Sequence, residues 1–194
     1  MLRTIRSYLR NEIGPRRGDI IRGSQLWIAL LAAITVAIFA SNWGIGTTQI
    51  GQVVTVALAY AAVAFGFCLA GLTVALTLPN EQFVRDLATR KPDQQQMEKK
   101  GRTPNAYSDL LFVFSWTAVA HWAVIVLGLL LLVGCGYNSA VIDGSFDMAE
   151  RVRLGLLTFF ILYALFQFLI TVITLSQVGN RYIDHLRRPE AKAE

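Results

Sequence analysis

The sequence predicts an all-α polytopic membrane protein with four transmembrane helices and both termini in the cytoplasm. Four apolar runs, at about 26–43, 53–78, 110–133 and 154–175, are each long enough to cross a hydrocarbon layer of about 30 Å as a helix. Only 16% of the 194 residues are charged and 54% are hydrophobic, and the mean hydropathy is +0.47. A soluble domain carries about a quarter charged residues, so this composition belongs to a lipid-embedded chain. The basic residues are also one-sided. Six Lys/Arg lie in 1–25, six in 79–109 and four in 179–194, against two, Arg151 and Arg153, in 135–153 and none in 44–52. That asymmetry places 1–25, 79–109 and 179–194 on the cytoplasmic side. The whole of 1–194 therefore reads as one membrane domain, multi-pass in a bacterial inner membrane.

The net charge of +5 follows from this topology and from attraction to anionic headgroups. Direct nucleic-acid binding is not expected. Arg3, Arg6, Arg10, Arg16, Arg17 and Arg22 form the N-terminal cytoplasmic arm. Within it Leu2, Ile5, Leu9 and Ile13 share one helical face, which suits either a short interfacial helix ended by Gly14-Pro15 or a flexible arm that only sets orientation. The first 43 residues do not read as a cleaved signal sequence. The charged region is long for that role, and no A-x-A-like site follows the apolar core.

The first span carries Trp27 and Trp43 at positions suited to the two interfaces. Ala29, Ala33, Ala37 and Ser41 recur every four residues, a strip over which a second helix can approach closely. The short uncharged link after it predicts that spans one and two are antiparallel neighbours. The second span carries a similar strip, Ala62, Gly66 and Ala70, and Tyr60 reads as an outer-half anchor or a bundle contact.

The cytoplasmic connection 79–109 contains Arg85, Arg90, Lys91, Lys99, Lys100 and Arg102, offset by five acidic residues, so it is no polybasic clamp. It reads either as a docking surface for a cytosolic protein or as a solvated connector. In the third span, Thr117 and His121 share a face, and His121 lies near the bilayer midplane, where an ionisable group needs a partner or water. The fourth span carries Gln167, Thr171 and Thr174 at helical spacing. Gln167 and His121 fall at similar depth. They could satisfy one another inside a protomer, or line a hydrated path at the centre of an oligomer. Beyond the membrane, the fourth helix is predicted to continue to about Arg188 before Pro189, with Arg181, Arg187 and Arg188 at the headgroups or a partner.

Several chemistries are not expected. One intramembrane histidine, with no intramembrane Asp or Glu, gives no metal or haem site within a protomer, and no cofactor is implied. Cys68 and Cys135 are too far apart in depth for a disulfide. No nucleophile–base spacing and no phosphate-binding glycine motif is present, so the chain reads as a non-enzyme without a small-molecule substrate. The functional readings are a homo-oligomeric membrane sensor or scaffold with a cytosolic partner, a small ion channel or pore-forming effector, and an accessory subunit of a larger membrane complex.

In size, four-span topology, cytoplasmic termini and lack of catalytic residues, the chain resembles the membrane subunit of the Kiwa anti-phage defence system. The channel protein of the Hailong system has a similar outline. The resemblance covers the whole chain at the level of topology; no residue motif carries it, and no functional residue is transferred. It implies a homotetramer, a cytosolic partner protein, and a role in sensing or executing a response at the inner membrane.

Overall fold

A computed structural model of the chain describes residue 18 and residues 20–39, 50–77, 106–135 and 148–187. Every regular element among them is helical. Four helices follow in chain order: α1 (Ser24–Phe39), α2 (Ile50–Leu76), α3 (Ala106–Cys135) and α4 (Met148–Arg187). Three stretches, Gly51–Leu76 in α2, Tyr107–Gly134 in α3 and Arg151–Asn180 in α4, are long and apolar enough to cross a membrane. The apolar α1 is shorter, at 16 residues, or about 24 Å. The predicted end of its span, including Ser41 and Trp43, lies outside the described residues.

At both ends α3 and α4 extend beyond the predicted apolar runs, because polar and aromatic termini continue them. Asp109 lies in the first turn of α3, where a carboxylate favours the positive end of the helix dipole. Forty residues make α4 about 60 Å long, so it outruns any bilayer, and it continues to Arg187. At the start of α1, the Trp27 indole donates to the Ile21 carbonyl at 3.0 Å, fastening the preceding turn to the helix. Threonines along the helices return their hydroxyl protons to the carbonyl four residues back, as Thr35 does to Leu31 and Thr73 to Leu69, both at 2.9 Å. That gives these hydroxyl donors an acceptor on the exposed faces of the helices.

The helices form a row in the order α1, α4, α3, α2, and α2 touches α4 only lightly. Antiparallel packing of α2 on α3 is fixed by Tyr107 donating to the Ala75 carbonyl at one end and by Gly128 meeting Leu58 at the other. Val178 of α4 packs beside Leu110 and Leu111, whereas Ala164 packs with Val124, so α3 and α4 are antiparallel too. Three glycines make the close approaches. A Cβ at Gly71 would lie 2.2 Å from the Phe114 ring, one at Gly128 2.8 Å from Leu58, and one at Gly155 3.0 Å from Ala37.

The small-residue strips separate here. Ala29 and Ala33 are buried, and Ala33 and Ala37 seat α1 against Gly155 of α4, inside the same chain. Ala62, Gly66 and Ala70 are instead exposed on the far side of α2, and a Cβ at Gly66 would meet nothing within 4 Å. The α2 face that packs inward is made by Val54, Ala57, Ala61, Ala64, Cys68 and Ala75.

The expected neighbour relation between the first two spans is overturned, since α1 packs on α4. Ten residues separate α1 from α2, and a link of that length reaches about 33 Å. It therefore imposes no adjacency, and the backbone surface at Gly155 decides where α1 rests. Outer faces carry large apolar side chains in the open, among them Val63 at 76% and Val133 at 85% exposed. Such continuous apolar surface suits lipid as the solvent.

Candidate functional site: a buried polar chain through α2, α3 and α4

Among the described residues, the buried polar side chains are Thr117, His121 and Thr171, each fully buried. His121 projects from α3 toward α2 and α4. Its Nδ1 lies 2.8 Å from the Thr117 carbonyl one turn back, and its Nε2 lies 3.2 Å from the Tyr60 hydroxyl of α2. A carbonyl only accepts, so Nδ1 carries the proton. In the neutral ring Nε2 is then the acceptor and Tyr60 the donor. Tyr60 and Phe168 pack their rings around the imidazole, with centroids 5.5 and 6.0 Å away. Phe168 also meets Phe67 edge-on at 5.3 Å, joining α4 to α2 beside the histidine.

Thr117 carries the chain onward to α4. Its hydroxyl lies 2.7 Å from that of Thr171 and 3.2 Å from the Gln167 carbonyl, to which Thr171 also comes within 2.9 Å. Two hydroxyls and one carbonyl thus close a triangle in which each O–H has an acceptor, whichever threonine donates to the other. A second tie lies nearby. Trp116 donates its indole proton to the Tyr163 hydroxyl at 2.8 Å, and the Gln167 side chain also hydrogen-bonds Tyr163. Trp116 stacks on Phe112, and Tyr163 on Phe159.

The direct pairing of His121 with Gln167 expected from depth alone does not form. His121 and Thr117 sit one turn apart and about 40° apart around α3, so the imidazole turns to α2 and the threonine to α4. Gln167 joins the chain through its backbone carbonyl and through Tyr163. It and Thr174 are half-buried. Trp116 and Tyr163 are partners the sequence did not single out, whereas Tyr60, expected as an outer-half anchor or a bundle contact, takes the second role against His121. A tyrosine far inside an apolar run, as Tyr60 and Tyr163 are, is the signal that pointed to them.

Of the basic residues assigned to headgroups or a partner, the exposed side chain of Arg22 is described. Arg181 and Arg187 belong to the last turns of α4. Arg3, Arg6, Arg10, Arg16, Arg17, Arg85, Arg90, Lys91, Lys99, Lys100, Arg102 and Arg188 lie outside the described residues, as does the whole of the connection 79–105. Cys68 is a free, buried thiol. No group of three or more His, Cys, Asp or Glu among the described residues could hold a metal ion.

What the polar chain does chemically is hold helices together. Each interhelical hydrogen bond of this kind contributes about 0.6 kcal/mol, and up to about 1.7. No protein-family model matches the sequence, and neither a curated protein nor a solved structure matches it.

Proposed function

We propose that the protein is a four-span protein of the bacterial inner membrane, with both termini in the cytoplasm, that acts as a homo-oligomeric sensor or scaffold for a cytosolic protein. The observation that carries this over a channel is the closure of the polar chain. His121, Thr117 and Thr171 are buried inside one protomer, His121 bonded to Tyr60 of α2 and Thr117 to Thr171 of α4, and a side chain so committed is not available to line a hydrated path. The cytoplasmic side is assigned by the basic bias of 1–25, 79–109 and 179–194. Those segments would form the platform on which the partner docks. The resemblance to the Kiwa membrane subunit directs the search for that partner to anti-phage defence and favours a tetramer.

The test is purification from membranes, comparing the full chain with one whose residues 79–105 are replaced by a short Gly/Ser linker. A cytosolic protein that comes down with the first and not the second supports the docking role. Equal recovery with both, or no co-purifying protein, removes it. A conductance in planar bilayers that is abolished by His121→Leu would transfer the assignment to a channel.

A further inference from the structure

The first helix is level with its neighbours at one end only. Ala37 of α1 meets Gly155 of α4, so Phe39, two residues on, ends level with Arg153, near the start of the candidate span Arg151–Asn180. In the other direction, thirteen residues take α1 back from Ala37 to its start at Ser24, and thirteen take α4 from Gly155 to Phe168. Phe168 packs on His121, the middle of the apolar stretch Tyr107–Gly134 of α3. Leu26 and Ala29, in the cluster with Tyr163 and Ala164, keep the same register. α1 therefore starts halfway through the bundle, and the whole shortfall lies on the side assigned to the cytoplasm. The exposed Arg22 precedes it by two residues, about 3 Å from mid-level. The hydrocarbon edge lies about 15 Å from the middle. An arginine stem covers about 6 Å of the remaining distance of about 12 Å.

Three arrangements compete to relieve the guanidinium. An acid of the packed helices would neutralise it, but Asp109, Glu150 and Asp184 of α3 and α4 lie nine or more residues from its level, about 13 Å or more. A bundle riding outward would bring Arg22 to the headgroups. It would also leave Leu169 and Ile173 of α4 and Val74 and Leu76 of α2, all exposed and at or beyond that level, in water. The third arrangement is local. A span shorter than the hydrocarbon layer draws the bilayer inward around it, and a charged side chain at depth does the same. Trp27, 51% exposed and five residues outward of Arg22, stands where an aromatic belongs beneath a headgroup layer so lowered. We propose that the inner leaflet is thinned beside α1, and that a phospholipid phosphate drawn in there binds Arg22. A phosphate accepts two parallel N–H bonds from a guanidinium, so the lipid headgroup satisfies the cation and the short span together. The proposal rests on the four-span reading of the chain, and says how its shortest span reaches the cytoplasmic face.

Nitroxides placed at equal level on two sides of the bundle test this, in the full chain freed of Cys68 and Cys135 and reconstituted in vesicles of phosphatidylethanolamine and phosphatidylglycerol. Ser24→Cys lies beside Arg22, and Val119→Cys, exposed on α3, is its control. Relaxation by a water-soluble nickel complex relative to oxygen should be several-fold greater at 24 than at 119. The label at 24 should also broaden the lipid phosphorus resonance more. Arg22→Leu should bring 24 down to the value at 119, and Arg22→Lys, which keeps a cation, should not. Equal, oxygen-dominated values at 24 and 119 with Arg22 intact would overturn the thinning. Nickel access at 24 without phosphorus broadening would overturn the bound phosphate, and an Arg22→Leu without effect would overturn the role of Arg22. Nickel access at both positions removes the membrane placement itself, the reading on which the proposal rests.

Discussion

Replacing Gly71 by alanine sets two effects of opposite sign against each other. The added Cβ would lie 2.2 Å from Phe114 Cε1, 2.8 Å from Cζ and 3.0 Å from Cδ1. Carbon atoms prefer about 3.5–4.0 Å, so the ring must withdraw by about 1.3 Å to relieve the nearest contact. It has nowhere to go. Phe114 is fully buried, among Leu110, Ala75, Leu72, Leu111 and Val178. Overpacking a filled core costs about 1–3 kcal/mol, and contact this close belongs in the upper part of that range. Alanine within a helix gains about 1 kcal/mol over glycine. The expected net loss is therefore about 1–2 kcal/mol. In a Phe114→Leu background, Cε1 and Cζ are gone, and Gly71→Ala should become neutral or stabilising through helix propensity alone. Reversible unfolding in mixed SDS micelles, followed by far-ultraviolet circular dichroism, measures all four corners of the cycle. The expected coupling is about 2 kcal/mol. A stabilising Gly71→Ala in the wild-type background, or additive single changes, would refute the packing of α2 on α3 at this point.

Four further outcomes are expected. Tyr60→Phe leaves Nε2 of a buried imidazole without its donor and should cost about 1 kcal/mol; adding His121→Leu should recover most of that, and an additive double variant would contradict the pairing. Thr171→Val removes the closest partner of the Thr117 hydroxyl, with an expected loss of about 0.6–1.7 kcal/mol in the same unfolding assay. In a background free of Cys68 and Cys135, Ala37→Cys with Gly155→Cys should form a disulfide under mild oxidation, since the two Cβ positions lie 3.0 Å apart. Ala37→Cys with Val54→Cys should not, and the reverse result would restore α2 as the neighbour of α1. A phosphatase reporter fused after Glu194 should be inactive and a cytoplasmic reporter active at the same point; activity of the phosphatase would invert the proposed orientation.

The helices themselves were legible because each is a sustained apolar run; three of them are long enough to cross a membrane, and α1, at 16 residues, is shorter. Their order was not. In water, an apolar stripe marks the buried face of a helix. In a chain solvated by lipid, the outward face is as apolar as the inward one, and the pattern carries no direction. Val63 and Ala64 of α2 are adjacent and both apolar, yet one is 76% exposed and the other 3%. The small-residue strips suffered the same ambiguity. Ala33 and Ala37 met Gly155, while Ala62, Gly66 and Ala70 of α2, a helix rich in such residues on every side, face outward. The candidate site was half legible. His121, Thr117 and Thr171 announce themselves as polar groups inside apolar runs, and Tyr60 stands alone among alanines and valines, whereas Trp116 and Tyr163 hide among aromatics until the facing helix is known.

The row of helices and the polar chain together divide the protomer into unequal parts. Three helices, α2, α3 and α4, are tied by directional bonds through His121, Thr117 and Thr171, with Trp116 and Tyr163 as a second tie. Hydrogen bonds between helices fix depth and rotation as well as proximity, because a slip of one turn leaves a polar group unmet in hydrocarbon. The contacts of α1 are of another kind. Ala33 and Ala37 rest on the backbone at Gly155, and Leu26 and Ala29 join the apolar cluster with Tyr163 and Ala164. Contacts of this kind hold by shape and carry no directional bond of their own. The helix joined to the arginine-rich N-terminal segment is therefore the one whose position the core specifies least. If this protein reports a change at the membrane surface to a cytosolic partner, the physical freedom to do so lies between α1 and α4, against a fixed frame of the other three.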